Sequence, residues 1–135
     1  MKIKLGLMSF VILLAACGKL PATTPTGNLV DGMTTAFTIT APNAPNSYNI
    51  NGSENPSLTV KRGQTYTFSV NTPGHPFFLA AVQGTNMANA FTDGVSGNGT
   101  QSGTVTFVVP SSAPSTLFYD CALHSGMTGV INVTN

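Results

Sequence analysis

The sequence predicts an all-β domain, a sandwich or barrel of about seven to eight short strands. Three observations carry this. Short runs rich in Val, Ile, Phe, Tyr and Thr recur between clusters of Pro, Gly, Asn and Ser. Two of these runs alternate apolar and polar residues cleanly. Beyond residue 30 no stretch has the apolar 3.6-residue period of a long amphipathic helix.

The strands follow in order. TTAFTIT (34–40) comes first, then SLTVK (57–61) and TYTFSV (65–70). In TYTFSV the residues Tyr66, Phe68 and Val70 share one face, and Thr65, Thr67 and Ser69 the other, as a half-buried strand requires. PFFLAAV (76–82) and GTVTFVV (103–109) come next, the latter alternating through Val105 and Phe107. TLFYDC (116–121) and GVINV (129–133) close the chain. The stretch Gln83–Gly99 is too polar for a core strand and too long for a tight turn. It is expected to be an excursion with a short helix or hairpin of its own. Phe77, Phe78, Phe107 and Tyr119 are assigned to the core. Tyr119 shares a face with Cys121 and is expected to pack beneath it, with Asp120 pointing to solvent.

The first sixteen residues stand apart. Lys2 and Lys4 precede an apolar run from Leu5 to Ala16, the charged and hydrophobic regions of a bacterial export signal. The run is shorter than the roughly 20 residues that span a bilayer. Its end, Leu14-Ala15-Ala16-Cys17, resembles the lipobox of bacterial lipoproteins, which implies cleavage before Cys17 and a lipid on it. Residues 18–29 are rich in Pro, Thr and Gly and read as a flexible tether. The expected organisation is a signal over 1–16, lipidated Cys17 and tether over 17–30, and one domain over 31–135. The protein would face away from the cytoplasm, held to a membrane by Cys17.

Charge excludes some partners. The chain has a formal net charge of +1, and loss of Lys2 and Lys4 leaves −1. No basic patch suits a nucleic acid. Of the two cysteines only Cys121 then remains as a thiol, in a compartment where thiols oxidise. Such a thiol is either buried and inert or held by a metal.

YDCALHSGM (119–127) favours the metal. Cys121, His124 and Met127 recur at three-residue steps, in a chain with only two histidines. Two imidazoles and a thiolate, with a long axial thioether, are the donors of a blue-copper site. Cys121 ends a strand, His124 and Met127 follow in the turn, and His75, at the loop-to-strand junction of NTPGHPFFLA, is the remaining imidazole. Zinc also accepts two His and one Cys, but a thioether is a poor zinc ligand and favours copper.

At these residues the sequence resembles the cupredoxins, the small blue-copper proteins such as plastocyanin, pseudoazurin and amicyanin. The Cys-x2-His-x2-Met spacing is that of the short ligand loop of amicyanin, and NPSLTVKRGQTYTFSV resembles the strands before the first His ligand. The resemblance implies a Greek-key fold, a single type 1 copper and single-electron transfer. It implies His75, Cys121 and His124 as equatorial ligands and Met127 as the axial one. His124 would be the electron gate, in an apolar patch of Leu123, Pro76 and Met127 where redox partner proteins dock. One departure stands out. Cupredoxins usually carry Asn after the first His, and its amide commonly donates to the cysteine sulfur. Pro76 has no N–H to donate, which implies a lower reduction potential.

No Ser/His/Asp arrangement, carboxylate pair or phosphate loop stands out, so neither an enzyme nor a small-molecule substrate is expected. Gln83 and Met87 are conceivable replacements for Met127. The alternatives are copper storage or delivery through the same ligands, and a surface module of this fold that takes no metal.

Overall fold

The computed structural model describes residues 29, 30 and 33–135, the first two by their backbone. The export signal, Cys17 and all but the end of the tether lie outside the described residues. In chain order the strands are β1 (Leu29–Val30), β2 (Met33–Thr34), β3 (Ala36–Thr40), β4 (Asn49–Ile50), β5 (Ser53–Glu54) and β6 (Leu58–Lys61). Then come β7 (Thr65–Asn71), β8 (Phe77–Ala80), β9 (Val95–Ser96), β10 (Ser102–Val108), β11 (Thr116–Cys121) and β12 (Thr128–Thr134). Those of four residues or more are the runs that periodicity predicts. The others have two residues each, too few for alternation to register.

Two sheets form the domain. One is six-stranded, in the order β5-β4-β3-β7-β10-β9; the other is four-stranded, in the order β6-β12-β11-β8; β1 pairs with β2 apart from both. The β3–β7 and β6–β12 pairs are parallel, and the remaining pairs are antiparallel.

The core lies between the sheets and follows the period of two. Phe37, Ile39, Tyr66, Phe68 and Phe107 enter it from the larger sheet, and Leu58, Phe77, Leu79, Leu117 and Ile131 from the smaller. Phe68 stacks on Phe37 with centroids 5.1 Å apart and meets Phe77 at 5.7 Å, so aromatic rings bridge the two sheets. Emptying such a position, as in Phe68→Ala, costs about 3–5 kcal/mol.

The pairing of β8 with β11 positions the site. Phe77 lies opposite Cys121, so the loop entering β8, with His75, meets the end of β11. Asp120 lies opposite Thr128, so residues 122–127 make the turn at this same pole. Lys61 pairs with Thr134 at the far end of β12, which puts the Lys61-Arg62 pair at the opposite pole.

The excursion after β8 holds a 3-10 turn (Met87–Asn89) and β9. It runs along the open edge of β8: Phe91 N–H donates to Leu79 O at 2.8 Å, and Leu79 N–H to Asn98 Oδ1 at 2.9 Å. A covered edge cannot pair with another chain. Phe91 also packs edge-on against Phe107, centroids 5.9 Å apart.

Asp120 corrects an expectation. Its side chain leaves the core face, as alternation predicts, yet it is 2% exposed. β11 is an inner strand, and the chain after β8 folds over its outer face. Gly84 N–H donates to Asp120 Oδ2 at 3.2 Å, and the Thr128 hydroxyl is a second partner. Burial, only partly offset by these bonds, raises the carboxyl above its ordinary value.

Candidate metal centre

His75 sits on a turn the sequence specifies. In Thr72-Pro73-Gly74-His75 the His75 N–H donates to Thr72 O at 2.9 Å. Proline presets the second residue of such a turn, and Gly74, at φ +80°, occupies a position that a side chain strains. Gln101 holds the turn from outside: its Oε1 accepts from Gly74 N–H at 2.6 Å and its backbone carbonyl from Thr72 N–H at 2.8 Å.

The second loop is closed by its own backbone. Cys121 N–H donates to Met127 O at 3.0 Å, and Met127 N–H to His124 O at 3.2 Å. Ala122 N–H donates to Pro76 O at 3.1 Å, joining the two loops. Asn55 acts as a crossbar from a third segment. Its Oδ1 accepts from Tyr48 N–H at 3.0 Å, and its Nδ2 donates to Gly126 O at 2.7 Å.

These turns bring three donor atoms together. His75 Nδ1 and His124 Nδ1 are 3.0 Å apart, and His124 Nδ1 is 3.8 Å from Cys121 Sγ. One donor atom from each residue lies within 4.8 Å of the others. Two nitrogens on one ion lie at most about 4 Å apart, and nitrogen and sulfur about 4.4 Å, for bonds near 2.0 and 2.3 Å. The His75–His124 and His124–Cys121 pairs fall inside these limits, so His124 can share one ion with each of the other two donors. Cys121 is buried and both histidines are half-buried.

Met127 is fully buried and bonded through its backbone to both Cys121 and His124. It therefore adds nothing to the outer apolar patch expected of it. Leu123, 61% exposed, and half-buried Pro76 remain at that surface. Gln83 bonds to Thr128 Oγ1, and Met87 is partly exposed in the excursion.

The architecture is similar to that of the copper protein rusticyanin, with a TM-score of 0.55 and 20% identity over 82% of this chain and 88% of that one. This chain has the cupredoxin fold. Rusticyanin from Thiobacillus ferrooxidans gives a TM-score of 0.53 at 21% identity, over 82% of this chain and 88% of that chain. Reduced auracyanin from the photosynthetic bacterium Roseiflexus castenholzii gives 0.50 at 20% identity, over 77% of this chain and all of that one. At these identities the cupredoxin likeness is one of fold. No family model matches the sequence, and no curated protein matches it either.

Sequence reasoning missed Tyr48 and Thr72. Both are fully buried, and both hydroxyls donate to His75 O, at 3.0 and 2.8 Å. Tyr48 precedes a two-residue strand, and Thr72 follows β7 beside a turn. Neither lies in a run long enough for its period to mark it as buried.

Proposed function

We propose that this protein is a blue-copper electron carrier that holds one copper through His75, Cys121, His124 and Met127. The observation that carries the reading is the convergence of two imidazole nitrogens and one thiol sulfur in reach of a single ion. Met127, buried behind the loop, completes the donor set that separates copper from zinc. Bound copper would supply a one-electron couple.

The protein's part is to hold the donors still. The turn at His75, the closed loop from Cys121 to Met127 and the Asn55 crossbar restrict each ligand without help from the ion. Little reorganisation is then needed when the charge of the site changes. The buried Cys121 and Met127 exclude water from the sulfur donors. His124, half-buried and next to exposed Leu123, would be the route by which the electron leaves. Both histidines are committed to the ion, which favours a carrier over an enzyme.

The chain would work outside the cytoplasm, tethered by a lipid on Cys17. Among the described residues no helix is long and apolar enough to cross a membrane. Intact-mass measurement of membrane-extracted protein tests the anchor: an unmodified Cys17 refutes it.

The test of function is an absorption spectrum of residues 18–135 with one equivalent of Cu(II). We expect an intense thiolate-to-copper band that disappears on reduction and in Cys121→Ser. A colourless protein that binds only Cu(I) would indicate copper handling. Binding of neither ion refutes both readings.

A further inference from the structure

Asn55 holds a backbone that its local sequence does not ask for. Its φ is +41°, in the left-handed region, yet Pro56 follows, and a residue before proline prefers extended backbone. Asn51 is the contrasting case. Its φ of +50° belongs to the two-residue Asn51-Gly52 turn between β4 and β5, where both turn residues take a positive φ. Asn55 lies outside that turn. Strained backbone persists where the surrounding bonds hold it, and it clusters at functional sites.

The bonds that hold Asn55 lead to both ligand loops. Its N–H donates to Tyr48 O at 2.9 Å, and its Oδ1 accepts from Tyr48 N–H at 3.0 Å. Its Nδ2 donates to Gly126 O at 2.7 Å, between His124 and Met127. The Tyr48 hydroxyl in turn donates to His75 O at 3.0 Å. The path from Gly126 through Asn55 and Tyr48 to His75 is closed into a ring by Ala122 N–H on Pro76 O, at 3.1 Å. Gly126 also seats against the same segment: a Cβ there would lie 3.0 Å from Asn46 O. An asparagine amide supplies the acceptor and the donor on one neutral group, and asparagine tolerates the left-handed region better than most residues.

We propose that Asn55 is a positioning residue of the metal centre, which holds the His124–Met127 turn at a fixed distance from the His75 loop. The proposal rests on the copper reading above. Without the Asn55 amide the turn is left to its own backbone bonds and to the Ala122–Pro76 contact. His124 and Met127 can then shift with the charge of the site, so reorganisation grows and electron exchange slows.

The test compares wild type with Asn55→Gly and Asn51→Gly. Glycine accepts a positive φ, so each variant loses its side-chain bonds and keeps its backbone. Asn51 is a matched control: its Oδ1 accepts from Thr38 N–H at 2.8 Å and its Nδ2 donates to Ala36 O at 3.4 Å, both on β3. In apoprotein, hydrogen exchange of the Cys121 and Met127 amides is measured relative to the β7 amides, which report global opening. Asn55→Gly is expected to speed it about two- to tenfold, the range that one lost hydrogen bond covers. In copper-loaded protein, self-exchange followed by NMR should slow by a similar factor, and copper release to a chelator should quicken. Asn51→Gly should match wild type in all three.

If Asn55→Gly matches wild type, or if Asn51→Gly changes all three readouts as much, the proposal is overturned and the copper site stands. Faster amide exchange with unchanged self-exchange makes Asn55 a scaffold residue alone, and also overturns it. A wild type without the thiolate band overturns the copper site, and this proposal with it. Should Asn55→Gly fail to fold, Asn55→Asp replaces it: the carboxylate keeps the bond from Tyr48 N–H and has no proton for Gly126 O. Unchanged exchange of the two loop amides in Asn55→Asp overturns the proposal by itself.

Discussion

The Tyr119 ring lies directly over the backbone of Gly129, its partner across the β11–β12 pair, and the Tyr119 hydroxyl donates to Pro56 O at 2.8 Å. A Cβ at residue 129 would overlap the phenol. The ring therefore needs glycine there, and it packs two residues before Cys121. Gly129→Ala is expected to destabilise the apoprotein by at least about 2 kcal/mol through overpacking. Tyr119→Phe loses only the bond to Pro56 O, about 1 kcal/mol. Denaturant midpoints check this, and a Gly129→Ala variant as stable as wild type contradicts it.

Met127 is buried in the core, and the copper reading also makes it a ligand; the choice of substitution separates the two roles. Met127→Leu keeps volume and costs less than about 1.5 kcal/mol. It should retain the thiolate-to-copper band while raising the reduction potential, because an axial donor is lost. Met127→Ala leaves a cavity worth about 2–5 kcal/mol. An unchanged potential in Met127→Leu would make Met127 a core residue alone.

Pro76 offers a complementary substitution. Pro76→Asn restores a backbone N–H next to His75, and the added donor to the thiolate should raise the potential. Potentiometry decides, and a potential that falls or stays unchanged contradicts the assignment.

Asp120 contributes to pH dependence. Its carboxyl is raised above 3.8 by burial, so the folded chain holds this proton more tightly than the unfolded chain. The associated stability is complete below the unfolded value of about 4 and is lost as pH rises through the folded value. Asp120→Asn should remove this dependence. In apoprotein melts the stability of wild type relative to Asp120→Asn should decline with rising pH; a constant difference rejects it.

Electron exchange should proceed over the Leu123 surface. The Lys61-Arg62 pair stands at the opposite pole, and the exposed residue beside His124 is the apolar Leu123. The self-exchange rate, followed by NMR, should change less than about threefold between low salt and 0.5 M salt. Leu123→Asp should slow it at least about tenfold, by placing like charges across the contact. A steep salt dependence in wild type argues against apolar docking.

Much of this molecule was legible in its sequence because period-two alternation reports burial directly. TYTFSV and TLFYDC became β7 and β11, and the Cys-His-Met spacing marked the loop that carries them into the site. What escaped depends on contacts between distant segments. The Tyr48 hydroxyl reaches His75 across 27 residues, and no local pattern encodes that. Asp120 failed differently: alternation assigned its face correctly, but only the fold of the following chain shows that this face is covered.

Asn55 has a consequence for how the protein ages. Asparagine deamidates when the next backbone nitrogen attacks the side-chain amide, and the next residue here is Pro56, whose nitrogen has no proton to lose. The amide that ties Tyr48 to Gly126 is thereby shielded from the usual route to aspartate. Asn51 and Asn98 are each followed by glycine and lack that protection. Peptide mapping after prolonged alkaline storage should find aspartate at those two positions while residue 55 is still intact. Chemical wear would then accumulate in the scaffold and spare the ligand loop.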